Sequence, residues 1–310
     1  MVKTLITLFK LIIFIFFVIF LSIVLMDTER MSVKIKRYFK FHFYKHHFSR
    51  IFTIAEKNLR LQLRFKLNLV FSIVKPFLTI FLSIVILSKF LEIGTRFGRW
   101  DDANYFVFLF LAYNIELLRR IIEDFPASFM NEKYWKTLPA LMIAPINKLH
   151  LLLGVFFSHL IVIAIPFILI FILTFVVYQI SIFTIIMIIC LFLLIDIIFS
   201  GIGLFLGVFA ISREGVWRLI SIGINIIFWF SCVTYPYEMF PNFIQNVINI
   251  NPFYYIFDIL RMTWLDDNIL LTISTYPFHF VILIGTAIIV PLIAMYVFKV
   301  VYNKFGIVGY

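Results

Sequence analysis

Ionisable side chains set inside hydrophobic sequence are where this chain has chemistry to offer, because a charge in hydrocarbon is expensive and marks a functional site. Asp196 is the lone acid in the apolar run Ile180 to Ile211. It suits either a proton or cation site, or a hydrogen-bonded acid facing a helix bundle. A denser group, Glu116, Arg119, Arg120, Glu123 and Asp124, follows the apolar stretch Tyr105 to Tyr113. On a helix, Glu116 reaches Arg119 or Arg120, and Arg120 reaches Glu123 or Asp124. The group belongs either to a transport pathway or to a helix that runs past the bilayer carrying ordinary solvated pairs, and the second reading is the simpler. His159, His279 and Asp196 are too scattered along the chain to read as one set of acid, base or metal ligands. His42, His46 and His47 have no Cys, Asp or Glu among them, which argues against a metal site. Cys190 and Cys232 lie in apolar runs and read as buried thiols. The chain contains no Gly-x-x-x-x-Gly-Lys-Ser/Thr, so it does not cradle nucleotide phosphates as a P-loop ATPase does. The expectation is a protein that is not an enzyme and carries no cofactor of its own.

The composition dictates what must position these groups. Of 310 residues, 63% are hydrophobic, 19% aromatic and 14% charged, with 41 Phe and a net charge of +11. With a mean hydropathy of +1.07, the chain reads as an all-α integral membrane protein whose charges gather in a few connecting segments.

Residues 1–30 form a hydrophobic segment in which Thr4 to Met26 is apolar over about the 20 residues that cross a bilayer. The bases that follow it, from Arg30 to Arg50, stay cytoplasmic and argue against a cleaved export signal. It reads as an extra span with an external N-terminus, or as sequence ahead of a functional start at Met31. The basic, aromatic stretch 31–68 suits anionic lipid head groups better than nucleic acid. Inside it, Arg50 to Leu67 is amphipathic at helical period. Arg50, Thr53, Glu56, Lys57, Arg60 and Arg64 fall on one side, and Ile51, Ile54, Ala55, Leu59 and Phe65 on the other. The pattern predicts a helix lying flat in the cytoplasmic interface.

Six spans follow: Leu69 to Leu91, the stretch from Ala103, Leu149 to Tyr178, Ile180 to Ile211, Val216 to Tyr235, and Phe278 to Val301. Lys299 and Lys304 put the C-terminus in the cytoplasm. Gly203 and Gly207 have the spacing that lets helices approach closely. Between the second and third spans lies a charged, proline-bearing island, Phe129 to Gly154, with Glu132, Lys133, Lys136, Lys148, Pro139 and Pro145. Leu138, Leu141, Met142 and Ile143 give it an apolar side suited to a surface helix. Ahead of the last span, Pro236, Glu238, Pro241, Asn251 and Pro252 break up apolar sequence, with Asp258 and Arg261 behind them, as in a re-entrant hairpin entering from the external side. Aromatic residues there, including Trp229, Tyr235, Tyr237, Phe240, Tyr254 and Tyr255, suit a membrane-surface belt or a path for sugar rings.

Three of these features together resemble the permease subunits of ABC exporters of the second type, which handle polysaccharides, drugs and lipids. The island follows that family's pattern through Glu132, Thr137, Leu138, Leu141, Met142, Pro145, Leu152, Leu153 and Gly154, with Lys136 where the family has Gly and Pro139 in place of its second Glu. The proline-broken stretch Tyr235 to Pro241, then Asn251-Pro252, Asp258 and Arg261, is similar to the family's re-entrant section. An amphipathic helix ahead of six spans is the family's architecture, and the resemblance covers about residues 50 to 305. It implies one permease domain over 31–310 in the cell membrane, multi-pass, with the substrate pathway formed with a second permease copy or homologue. Energy would come from a separate ABC ATPase subunit that binds ATP and Mg. That subunit would contact Glu132, Lys133, Lys136, Thr137, Leu138, Leu141 and Pro145, with Arg50, Lys57, Arg60 and Arg64 of the interface helix as a second contact. The competing expectation is an ATP-independent secondary transporter that uses Asp196 or the Glu116 to Asp124 cluster as a proton relay.

Overall fold

The computed structural model describes residues 47–64, 97–101, 104–136, 148–212 and 214–305, with single positions at 70, 74, 75, 78, 81 and 85. The hydrophobic segment 1–30, most of the span expected over Leu69 to Leu91, and island residues Thr137, Leu138, Leu141 and Pro145 lie outside the described residues.

The amphipathic helix expected over Arg50 to Leu67 forms over His47–Arg64. α1 (His47–Arg64) buries Ile51, Ile54, Ala55 and Leu59 and leaves Thr53, Arg60 and Arg64 exposed. Asn58 falls on the buried side too, at the next helical step from Ile54 and Ala55. The remaining elements are α2 (Tyr105–Tyr134), α3 (Lys148–Val177), α4 (Ile182–Ser212), α5 (Glu214–Trp229), a 3-10 turn (Tyr237–Met239), α6 (Asn242–Ile248), α7 (Pro252–Asp266), α8 (Ile269–Thr275) and α9 (Pro277–Phe305). No strand occurs among the described residues. An isolated bridge joins Phe97 to Trp100.

Ile182–Ala210 of α4 and Pro277–Val301 of α9 are long and apolar enough to cross a bilayer, and α3, bent by 53° ahead of Pro166, makes a third when its two halves count as one span. The described residues build an all-helical membrane protein. α9 turns Ile284, Ile288, Leu292 and Tyr296 outward, as a helix against lipid does.

The middle of the bundle is α4, and glycine lets its neighbours come close. A Cβ on Gly203 would lie 2.8 Å from the Ile121 carbonyl oxygen and from Phe125 of α2, and one on Gly207 would enter the Phe129 ring. Four residues along α4 match four along α2, so these helices run parallel. A Cβ on Gly201 would lie 3.0 Å from the Pro291 backbone, and the tilted Phe129 and Phe298 rings lie 6.3 Å apart, so α9 runs the same way. α1 crosses α3 where Gly154 leaves room for Ile54, whose Cγ2 would be 2.5 Å from a Cβ there. The α3 to α4 turn is fastened by Trp264, whose indole N–H donates to the Tyr178 carbonyl at 3.3 Å, and by Asp267, which accepts from the Ser181 N–H at 2.7 Å.

α2 runs for 30 residues through the whole charged group to Tyr134, the continuous helix of the simpler reading. One element differs from expectation. α5 ends at Trp229, where Phe228 packs on Phe199 of α4 and on Phe253 and Phe257 of α7. A helix of 16 residues rises only about 24 Å, against about 30 Å of hydrocarbon. Asn251 closes the join: its side chain accepts from the Phe253 N–H at 3.0 Å and donates to the Ile227 carbonyl at 2.7 Å. Pro252, which has no N–H to satisfy, takes the first helical position of α7.

Candidate functional site

The charged group on α2 is inside the bundle. Glu116 and Arg119 pair at 3.0 Å with side chains only 11% and 17% exposed. Arg119 also donates to the Asn225 side chain at 2.5 Å and lies over the Phe228 ring, tying α2 to α5. Arg120 meets Asp124 at 3.5 Å. Glu123 turns to Lys75 instead of Arg120, at 2.8 Å, and that pair is the solvated one. The solvated-pair reading therefore holds for Glu123 alone among the group's acids. The helix face that carries Glu116 and Asp124 is packed against other helices.

His159 and Asp196, expected to be separate, are neighbours. His159 on α3 is 1% exposed and Asp196 on α4 is fully buried, with Nε2 to Oδ1 at 3.7 Å. On its other side the same ring meets Asp124 of α2, Nδ1 to Oδ2 at 3.3 Å. Both Asp196 oxygens and His159 Nε2 lack a hydrogen-bond partner, as does the buried Ser200 hydroxyl one turn further along α4. His279 stands apart, 3.3 Å from Asp258. Asp124 and Arg120 also line an open-sided cavity of about 160 Å³ between α1, α2 and α3, together with Asn58 and Gln62 of α1, Asn131 of α2 and Ser158 of α3. Three helices thus join a polar cavity to a buried carboxylate through one imidazole. Among the described residues no three His, Cys, Asp or Glu side chains are disposed to hold a metal ion.

At the end of the bundle that carries α1, Glu132 is 3% exposed in the last turn of α2 and ion-pairs with Lys57 of α1. Lys133 is half-buried and Lys136 exposed. Lys136 ends the helix with φ 58, its N–H donating to the Lys133 carbonyl at 3.1 Å. That left-handed conformation is the one a glycine adopts without strain. Arg60 pairs with Glu56 one turn back on α1, Arg50 is half-buried, and Arg64 is exposed in the last turn.

The proline-broken residues assemble at the other end. Glu238 is exposed and lies against Gly98, Pro236 is buried, and Pro241 precedes α6. Arg261 is 2% exposed, with its guanidinium 3.9 Å from the Phe108 ring centre and a hydrogen bond to the Val233 carbonyl at 2.8 Å. Nearby, Arg99 donates to Asp266 at 2.5 Å, and this hydrogen bond pushes the already high arginine pKa further up. The aromatic residues here cluster: Tyr237 stacks on Tyr254 at 5.2 Å, and Tyr255 meets Phe278 and His279.

The chain matches no family model and no curated protein.

Proposed function

We propose that this chain is the membrane-spanning permease subunit of an ATP-driven exporter of the second ABC type, paired with a second permease and coupled to a separate ATPase subunit that binds ATP and Mg. The observation that carries this reading is the joint between α1 and α2. An amphipathic helix packs on the bundle through Ile54 and Gly154, and its Lys57 is fastened to the buried Glu132 where the charged island begins. A push on the island or on α1 therefore reaches α2, and through Gly203 and Gly207 it reaches α4. Lys136, which stands where the resembled family has glycine, adopts a glycine-like φ, in keeping with the resemblance.

In this reading both ends of the described chain are cytoplasmic, the membrane is the cell membrane, and α6 with α7 forms the re-entrant hairpin. Support for the hairpin comes from the short α5 and from α7, whose Phe253 and Phe257 pack on Phe199 midway along α4. The deciding experiment is extraction in mild detergent followed by mass identification of what copurifies. A soluble subunit with a phosphate-binding loop is expected. Repeated recovery of the folded chain alone overturns the reading.

A second reading, an ATP-independent secondary transporter, is favoured by one observation, the buried array Asp124, His159 and Asp196. Its mark is substrate flux in liposomes that contain no ATPase.

A further inference from the structure

Asp196 is fully buried with neither oxygen hydrogen-bonded, and it faces His159 Nε2, itself without a partner, at 3.7 Å. His159 Nδ1 faces Asp124, whose other neighbour is Arg120. A carboxylate beside an arginine only accepts, so the bond to Asp124 needs the proton on Nδ1. A neutral ring then turns a lone pair on Nε2 toward a carboxylate oxygen 3.7 Å away. Two acceptors that face each other in a buried site repel, and an unpartnered buried carboxylate is costly. One proton between them removes both penalties.

We propose that Asp196 and His159 form a binding site for a single proton, loaded through Asp124 from the cavity between α1, α2 and α3. In the empty state the ring carries its proton on Nε2, toward an ionised Asp196, and presents a lone pair to Asp124. A proton arriving from cavity water by way of Asp124 bonds to Nδ1, and the Nε2 proton passes to Asp196. Only N–H and O–H bonds change, and the array gains one proton. The cavity, about 160 Å³, has room for a few water molecules, and Gln62 contributes to it a buried carbonyl oxygen with no partner of its own.

Among the described residues, few charged groups face the pair. α2 supplies Arg120 and Asp124, while its Glu116 and Arg119 are engaged with each other. α1 lines the cavity with Asn58, Leu61 and Gln62, and α3 adds Ser158, all neutral. Beyond α4, α9 keeps Tyr296 and Lys299 exposed and holds His279 against Asp258 at the far end. Uptake thus takes the array from a net negative charge, one arginine against two carboxylates, to neutrality. This inference rests on the packing of α2, α3 and α4 and not on the presence of an ATPase.

The test is an infrared pH titration of the full chain in lipid nanodiscs, read at the carboxylic acid C=O stretch. A band that grows as pH falls is expected in the wild type, absent in the isosteric Asp196→Asn and moved to a different midpoint in His159→Gln. No titrating band, or the same band in Asp196→Asn, overturns the proposal. If Asp196→Asn does not fold, nitrogen chemical shifts of labelled histidine in the wild type give the answer: a His159 whose two nitrogens keep fixed shifts across the same pH range overturns it. Neither measurement needs a partner subunit, so failure to copurify an ATPase leaves this result untouched.

Discussion

Lys136 stands at the end of α2 in a conformation that costs an L-residue with a side chain about 1–2 kcal/mol. Lys136→Gly removes that strain at the exposed position and returns part of the gain as extra freedom in the unfolded chain. A net stabilisation of about 1 kcal/mol is expected in thermal unfolding of the purified protein. A destabilised variant would mean that the lysine side chain contributes more than its backbone costs. Asn251 is the opposite case, a residue chosen for its side chain. It caps α7 and satisfies the Ile227 carbonyl at the end of α5, so Asn251→Ala should lose about 1–2 kcal/mol. Asn251→Asp, which keeps the acceptor and loses the donor, separates the two bonds: the cap survives and the Ile227 bond does not. At this scale Asn251-Pro252 was legible as a break in apolar sequence, because a proline's effect on the backbone is local, whereas the cap and the bond to Ile227 were not. The meeting of His159 with Asp196 was not, because 37 positions separate them and their contact depends on how α3 and α4 pack. The same holds for Lys57 and Glu132, 75 positions apart.

Between elements, glycine sets the distances. The spacing of Gly203 and Gly207 was visible in the sequence as a close-approach signature, and α2 takes the place it opens. Gly154 was legible only as part of a resemblance, and its physical role is now plain: it admits Ile54 and so seats α1 on α3. Gly154→Leu should cost about 1–3 kcal/mol through overpacking and loosen α1, detected as faster proteolysis near Arg60 and Arg64. Ile54→Ala in the same chain frees the colliding volume and should recover part of the loss. If the single variant leaves α1 as protected as before, the seating is not made by this contact. Gly223, with nothing within 4 Å of its Cβ position, is the control site for the same change. The periodicity of α1 was readable because one of its faces remains polar. The continuation of α2 through its charged group was readable, but the burial of those charges was not, because Glu116, Arg119, Arg120 and Asp124 satisfy one another and neighbouring helices that are distant in sequence.

For the whole molecule, the exporter reading asks whether movement at the island reaches a substrate path. In that reading a buried acid facing α1 is poorly placed to touch the ATPase subunit and well placed to transmit its motion. In the exporter reading, Glu132→Lys should therefore leave the ATPase bound while uncoupling hydrolysis from transport, since two cations then oppose each other between α1 and α2. Coupling should return in part when Lys57→Glu is added, because the exchanged pair restores attraction across the same gap. Copurification reads association, and substrate-stimulated ATP hydrolysis in liposomes reads coupling. If Glu132→Lys releases the ATPase altogether and the exchanged pair does not recapture it, then Glu132 belongs to the docking surface itself and the joint is not the transmitting element. If both variants transport as the wild type does, motion enters the bundle elsewhere, and the Arg119 link between α2 and α5 is the next contact to break.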